Sequence, residues 1–322
     1  MYHYTVLLRS FTIILSLLEQ KIAVINSEYT FINDSDSQGV ITSLEDGGAV
    51  IDYISNSTGP LNLPQNKLIL AGVSAGAGIA QWNGFREASN SQVKGVFASI
   101  AQSSYAIGNT LHLKKDSGTI QSAESSGKDF VKTLGLNEDD NLLQNLRNIP
   151  AKDLLQVGAG MVNPEDASNE EDYVISAAWM PNVDNWVFKD SALNISKTKQ
   201  THNVPFLLGF NSFEGSSLLP MFYTNEQHKK DTDWIKTIWE LAIPNDPNNI
   251  ADGYKEWAMG IEKESYLASQ KLWGDIQFGA STYFSALNHS KVNPNTYFYY
   301  FNRSPISKKQ IIGATHAVEI MY

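Results

Sequence analysis

Apolar residues gather in short unbroken runs, at Ile22–Ile25, Leu68–Val73, Val96–Ile100, Val204–Phe210 and Tyr297–Phe301. Runs of this length read as buried parallel strands. The segments Leu44–Ile54 and Ala75–Phe85 each lie between two runs and read as helices. The strand-helix-strand alternation predicts an α/β fold built on a doubly wound, mostly parallel sheet. Between Lys128 and Val157 leucines mix with charges and strand character is lost. That stretch is expected to be an inserted helical layer, spanning about 118–170. Pro-, Asp- and Asn-rich stretches at 163–171 and 244–252 read as loops, and no internal repeat is visible. Near the start, Leu7, Leu8, Phe11, Ile14, Leu15 and Leu18 recur at helical spacing, with Ser10, Thr12, Ser16 and Glu19 on the other side. This predicts an amphipathic helix with one buried face rather than a leader or a membrane span.

Composition narrows the class. The chain has 322 residues, 42% hydrophobic and 18% charged, as expected for one globular domain over residues 1–322. A net charge of −10 argues against a nucleic-acid partner. The absence of cysteine removes disulfides, thiolate metal sites and a cysteine nucleophile.

The sharpest local feature is GVSAGAG at 72–78, directly after the strand-like KLILA and before a helix-compatible segment. A nucleophilic serine on a tight strand-to-helix turn needs this setting. Ser74 is the expected nucleophile, and Gly72 and Gly76 are expected to leave room for the strained turn. The Ala75 amide, at a helix N-terminus, is expected to face a developing oxyanion. A dinucleotide loop is disfavoured because Gln81 stands where the third glycine of its spacing should be.

A serine needs a base, and the base needs a carboxylate to fix its tautomer. Of six histidines, His3, His112, His202, His228 and His289 read as surface or packing residues. His316, in IIGATHAVEI after the strand-like TYFYYF, occupies the loop where an α/β hydrolase carries its base. The acid must precede it in the chain, and many acids qualify. Glu214, in VPFLLGFNSFEG, lies just beyond a strongly apolar run, where the loops of a parallel sheet collect catalytic groups.

In order, EYTF, LEDGGAVIDYI, GVSAGAG, VFASIAQSS, NLLQNLRNIPAKDLLQ, MPNVDNWVFKD, GFNSFEG, DIQF and GATHAVEI resemble the successive motifs of the type-B carboxylesterase and cholinesterase family of α/β hydrolases. The resemblance implies a serine esterase whose partner is a small-molecule ester substrate, with a Ser74, Glu214, His316 triad that needs no metal or organic cofactor. It also implies that Glu319 braces the histidine loop and that Gln102, Ser103 and Ser104 support the elbow. The sequence departs from the pattern in places. No His-Gly-Gly-Gly oxyanion loop occurs in residues 1–20, and the chain stops six residues after His316, where the family continues into a helix. Both features lead to the expectation of a chain truncated at both ends. Thr30 and Ala317 stand where the family has arginine and glycine. Because the family includes adhesion proteins, a catalytically silent binding protein or inactive fragment is the competing expectation, and a peptidase or transacylase is another. Asn-x-Ser/Thr sites at Asn33, Asn56, Asn194, Asn288 and Asn302 hint at secretion in a chain rich in Asn and Ser, and localisation stays open.

Overall fold

A computed structural model describes residues 68–89, 96–105, 107, 111–116, 121–139, 141–150, 153, 154, 157, 182–185, 188–222, 249–260, 264–304 and 313–322. The amphipathic segment of residues 4–18, the run 22–25, the helix expected at 44–54, the loop at 163–171, and Asn33, Asn56, His3 and His228 lie outside the described residues.

Four strands form a parallel sheet: β1 (Leu68–Val73), β2 (Val96–Gln102), β5 (Phe206–Asn211) and β6 (Thr296–Phe301), in the order β1-β2-β5-β6. Two short strands, β3 (Leu111–His112) and β4 (Asn182–Val183), form a separate parallel pair. The four longer strands are the apolar runs that sequence predicts, with edges moved by backbone chemistry. β5 begins at Phe206 rather than Val204 because Pro205 has no N–H to give. Its carbonyl still accepts the Ser99 N–H at 3.0 Å, and the first ladder donor is the Phe206 N–H, to Asn295 O at 3.0 Å.

Helix α1 (Ala75–Ser89) follows β1 and packs on one face of the sheet. The same face receives α8 (Ser281–His289). Between them lie Ala77, Ala101, Phe206, Leu208 and Ala286, all buried. Burying Phe206 and Leu208 contributes on the order of 2–3 kcal/mol each. On the outer side of α1, Trp82 packs with Phe188 and with Ala192 and Ile195 of α4 (Ala192–Lys197). α4 starts at Ser191, whose hydroxyl accepts the Asn194 N–H at 3.2 Å as an N-cap.

The expected helical insert contains α2 (Ala123–Thr133) and α3 (Leu142–Asn148). α2 buries Phe130 and Val131, and Ser122 caps it by accepting the Ser125 N–H. After β5 come α5 (Gly215–Phe222), α6 (Ile250–Ala258) and α7 (Glu264–Gly274). A π-helix (Asp275–Ala280) then joins α7 to α8. α6 corrects the loop expected at 244–252. Asn249 takes a left-handed φ of 53° and the helix starts at Ile250, inside the Asn-rich stretch. No helix among the described residues is long and apolar enough to cross a membrane.

Candidate active site

All four parallel strands end at one edge, and the chain leaving three of them is held there by a neighbour's backbone. The Ser74 N–H donates to Gln102 O at 2.9 Å, Ser103 N–H to Gly209 O at 2.8 Å, and Ser212 N–H to Phe301 O at 2.8 Å. One loop bond adds to these, from Phe213 N–H to Ala314 O at 2.9 Å. Ser74, Ser103, Glu214 and His316 therefore leave successive strands at the carboxyl edge, where ligands of open parallel sheets bind.

Ser74 turns between β1 and α1 with φ 58°, a left-handed conformation that costs a non-glycine residue about 1–2 kcal/mol. The turn is tight. A Cβ on Gly72 would lie 2.2 Å from Gly76 O, so only glycine fits there. At Gly76, by contrast, an added Cβ meets nothing within 4 Å among the described residues. Ala75 is the first residue of α1, so its N–H belongs to the first turn, where helical amides lack intrahelical acceptors. The helix is under way by Gly78, whose N–H reaches Ser74 O at 3.0 Å.

Glu214 is 1% exposed and accepts three hydrogen bonds. The Asn211 N–H and the Ser103 hydroxyl both donate to Oε1 at 2.6 Å, and His316 Nδ1 lies 2.6 Å from Oε2. A buried carboxylate in such a site is retained only when its lone pairs are filled. With Oε2 as acceptor, the neutral His316 ring carries its proton on Nδ1, leaving the Nε2 lone pair bare. Nε2 is buried and has no hydrogen-bond partner among the described residues. Ser74 Oγ is thus not hydrogen-bonded to it. On the far side of His316, Ala317 adopts φ 61°. That left-handed value explains why the family pattern has glycine at this position.

Glu319 braces the histidine loop as expected. Its carboxylate accepts from Asn211 Nδ2 and, at 3.5 Å, from Gln102 Nε2. Burial pushes this carboxyl up from the ordinary range, with the Asn211 hydrogen bond opposing. Burial and the nearby Glu319 charge also push the Tyr299 hydroxyl up, so it remains a phenol. Of the three residues expected to support the elbow, Gln102 accepts the Ser74 N–H. Ser103, left-handed at φ 53°, instead fills an acceptor site of Glu214. Ser104 donates to Gln81 Oε1 at 2.7 Å, and Gln81 Nε2 donates to Ser285 Oγ at 2.9 Å, tying α1 to α8.

The other described histidines are not at this edge. His112 is exposed on β3. His289 is packed, with Nε2 2.9 Å from Val204 O and Nδ1 3.2 Å from Thr201 Oγ1, and burial holds its pKa below the ordinary value. Together with His202 it lines a cavity of about 30 Å³ near the start of β5, away from Glu214 and His316. Among the described acceptor sites for glycan, Asn194 and Asn302 are exposed, whereas Asn288 is buried.

No curated protein matches the chain. The sequence model of the carboxylesterase family matches residues 64–322, which include every residue of the edge described above. This chain is a member of the carboxylesterase family, and with that family's α/β-hydrolase fold it is placed among proteins of ester hydrolysis.

Proposed function

We propose that this chain is a serine hydrolase that cleaves carboxylic esters through an acyl-enzyme, with Ser74 as nucleophile, His316 as base and Glu214 as the acid that orients it. One observation carries the reading. The buried Glu214–His316 bond of 2.6 Å leaves Nε2 bare at the sheet edge where Ser74 stands in a left-handed turn. In this mechanism His316 Nε2 takes the Ser74 hydroxyl proton as Oγ attacks the ester carbonyl. The tetrahedral oxyanion forms beside the Ala75 amide, and removing one such donor typically costs ~10²–10³ in rate. His316 then gives its proton to the leaving alcohol. Water, deprotonated by the same nitrogen, attacks the acyl-enzyme and releases the acid. Glu214 stays ionised throughout, holding the tautomer and stabilising the imidazolium. The fold that carries this is proposed to be one doubly wound domain over residues 1–322, with the helical layer at about 118–170 inserted between strands.

The test is hydrolysis of p-nitrophenyl acetate and butyrate by the chain and by Ser74→Ala. The expected loss on substitution is about 10⁴-fold or more in kcat/KM. Equal turnover by both proteins would remove Ser74 from the chemistry, and no turnover by either would favour a binding role on the same fold.

A further inference from the structure

Among the described residues, His316 is hydrogen-bonded at one nitrogen. A single bond from Nδ1 to Glu214 sets the tautomer, but the imidazole can still tilt with that bond as its pivot, and a tilt displaces Nε2. One neighbour meets the face of the imidazole. The Phe278 ring lies with its centroid 4.9 Å from that of His316, tilted by 38°. Phe278 is 4% exposed and is itself held by two aromatic edges. Tyr105, just past β2, meets it at 6.1 Å and 84°, and Trp273 of α7 at 6.0 Å and 69°.

Phe278 sits in the π-helix, a rare form that turns up inside helices chiefly at functional sites. The segment is anchored at its first residue. Both Asp275 carboxylate oxygens accept from Lys271 Nζ, at 2.5 and 2.6 Å, and Oδ2 also accepts from the Tyr254 hydroxyl at 2.8 Å. One residue earlier, α7 abuts the acid. A Cβ on Gly274 would lie 2.7 Å from Gly215 N and 3.0 Å from Glu214 Cβ, and one on Gly215 would lie 1.9 Å from Gln270 O. Gly274 against Glu214 and Phe278 against His316 thus bring one helical segment onto both members of the pair.

We infer that Phe278, presented by the π-helix, is a positioning residue that locks the His316 ring so that Nε2 stays aimed at the nucleophile. The inference rests on the hydrolase reading for its kinetic consequence, but the ring contact and its effect on the imidazole do not. Phe278 touches no reacting atom. Its removal therefore lowers kcat and spares KM, because misaiming a reacting group can cost on the order of 10²-fold in rate without touching substrate affinity.

The experiment compares wild type with Phe278→Leu, which keeps an apolar buried side chain without the flat ring, and Phe278→Tyr, which keeps the ring. Two readouts are taken, p-nitrophenyl butyrate kinetics and the NMR signal of the His316 Nδ1 proton bonded to Glu214. In Phe278→Leu, kcat is expected to fall about 10- to 100-fold with KM within about twofold, and the Nδ1 proton signal to broaden as the ring gains freedom. Phe278→Tyr is expected to restore both. Should Phe278→Leu fail to fold, Phe278→Met fills the same gap with an adaptable unbranched chain and takes its place. A folded Leu or Met variant with unchanged kcat and an unchanged Nδ1 signal overturns the inference. Wild type that shows the signal but no hydrolysis defeats the hydrolase reading instead, while the signal in the variants still decides the role of Phe278.

Discussion

The two halves of the site are built by opposite means. Around Glu214 and His316 the structure uses buried side chains. The carboxylate accepts three hydrogen bonds from three segments, and the histidine ring is covered by Phe278. Around Ser74, among the described residues, it uses the main chain, through a left-handed turn, a backbone bond to Gln102 and a glycine against the next turn of helix. Glu214 and His316 are held by what they touch, and Ser74 by where its backbone goes. A side-chain change should therefore disable the first half chemically with the fold intact. The second half should tolerate most side-chain changes nearby but fail when its backbone is obstructed.

The largest expected effect breaks the first half. Glu214→Gln keeps the shape but presents an amide to Nδ1, favouring the wrong tautomer, and kcat is expected to drop about 10⁴-fold. Steady-state kinetics alongside a thermal melt checks that activity falls far more than stability. Next is Gly72→Ala in the second half. Its new methyl group would meet Gly76 O at 2.2 Å, a backbone collision that nothing flexible can relieve. Overpacking of this kind costs typically 1–3 kcal/mol and can exceed that, so denaturant unfolding should show a lower midpoint and activity should fall with it. Gly76→Ala is the matched control. With open space at its Cβ and a position inside a helix, it is expected to change stability by no more than about 1 kcal/mol, in the stabilising direction.

A smaller effect comes from outside both halves. His289 has its pKa lowered by burial, with the Val204 carbonyl opposing and the neighbouring His202 adding to the lowering. Above the ordinary histidine value of 6.5 the folded and unfolded chains are both neutral there, and the group has no effect. As pH falls below 6.5 the unfolded chain takes up a proton that the folded chain refuses, so stability declines toward acid. One such group contributes a slope of at most about 1.4 kcal/mol per pH unit. Melting curves from pH 7.5 to 5 should flatten in His289→Gln relative to wild type. An unchanged slope would assign the acid sensitivity to other groups.

What the sequence offers for the candidate site is local. Ser74 stands out because strand, turn and helix signals adjoin it within ten residues, and His316 and Glu214 because each follows an apolar run. The four longer strands were visible for the same reason, as they are continuous and apolar. What escaped was whatever depends on contacts between distant segments. Ser103 reads as a neighbour of the elbow, yet its hydroxyl reaches Glu214, 111 positions away. α7 shows no clean amphipathic stripe because it is enclosed on several sides, burying Ser269 and Gln270 together with Tyr266, Ala268 and Leu272. The π-helix has no sequence period to reveal it. At Gly76 the motif suggests a steric need, and among the described residues no neighbour lies within 4 Å of an added Cβ.

The most direct test of the account is covalent. A fluorophosphonate reacts with a serine only where a base activates the hydroxyl, so the chain should be labelled once, on the peptide carrying Ser74, by mass spectrometry. Labelling should be slowed by Glu214→Gln and abolished by Ser74→Ala. Adduct on any other serine, or labelling at Ser74 as fast in Glu214→Gln as in wild type, would contradict the claim that the buried Glu214–His316 pair serves Ser74.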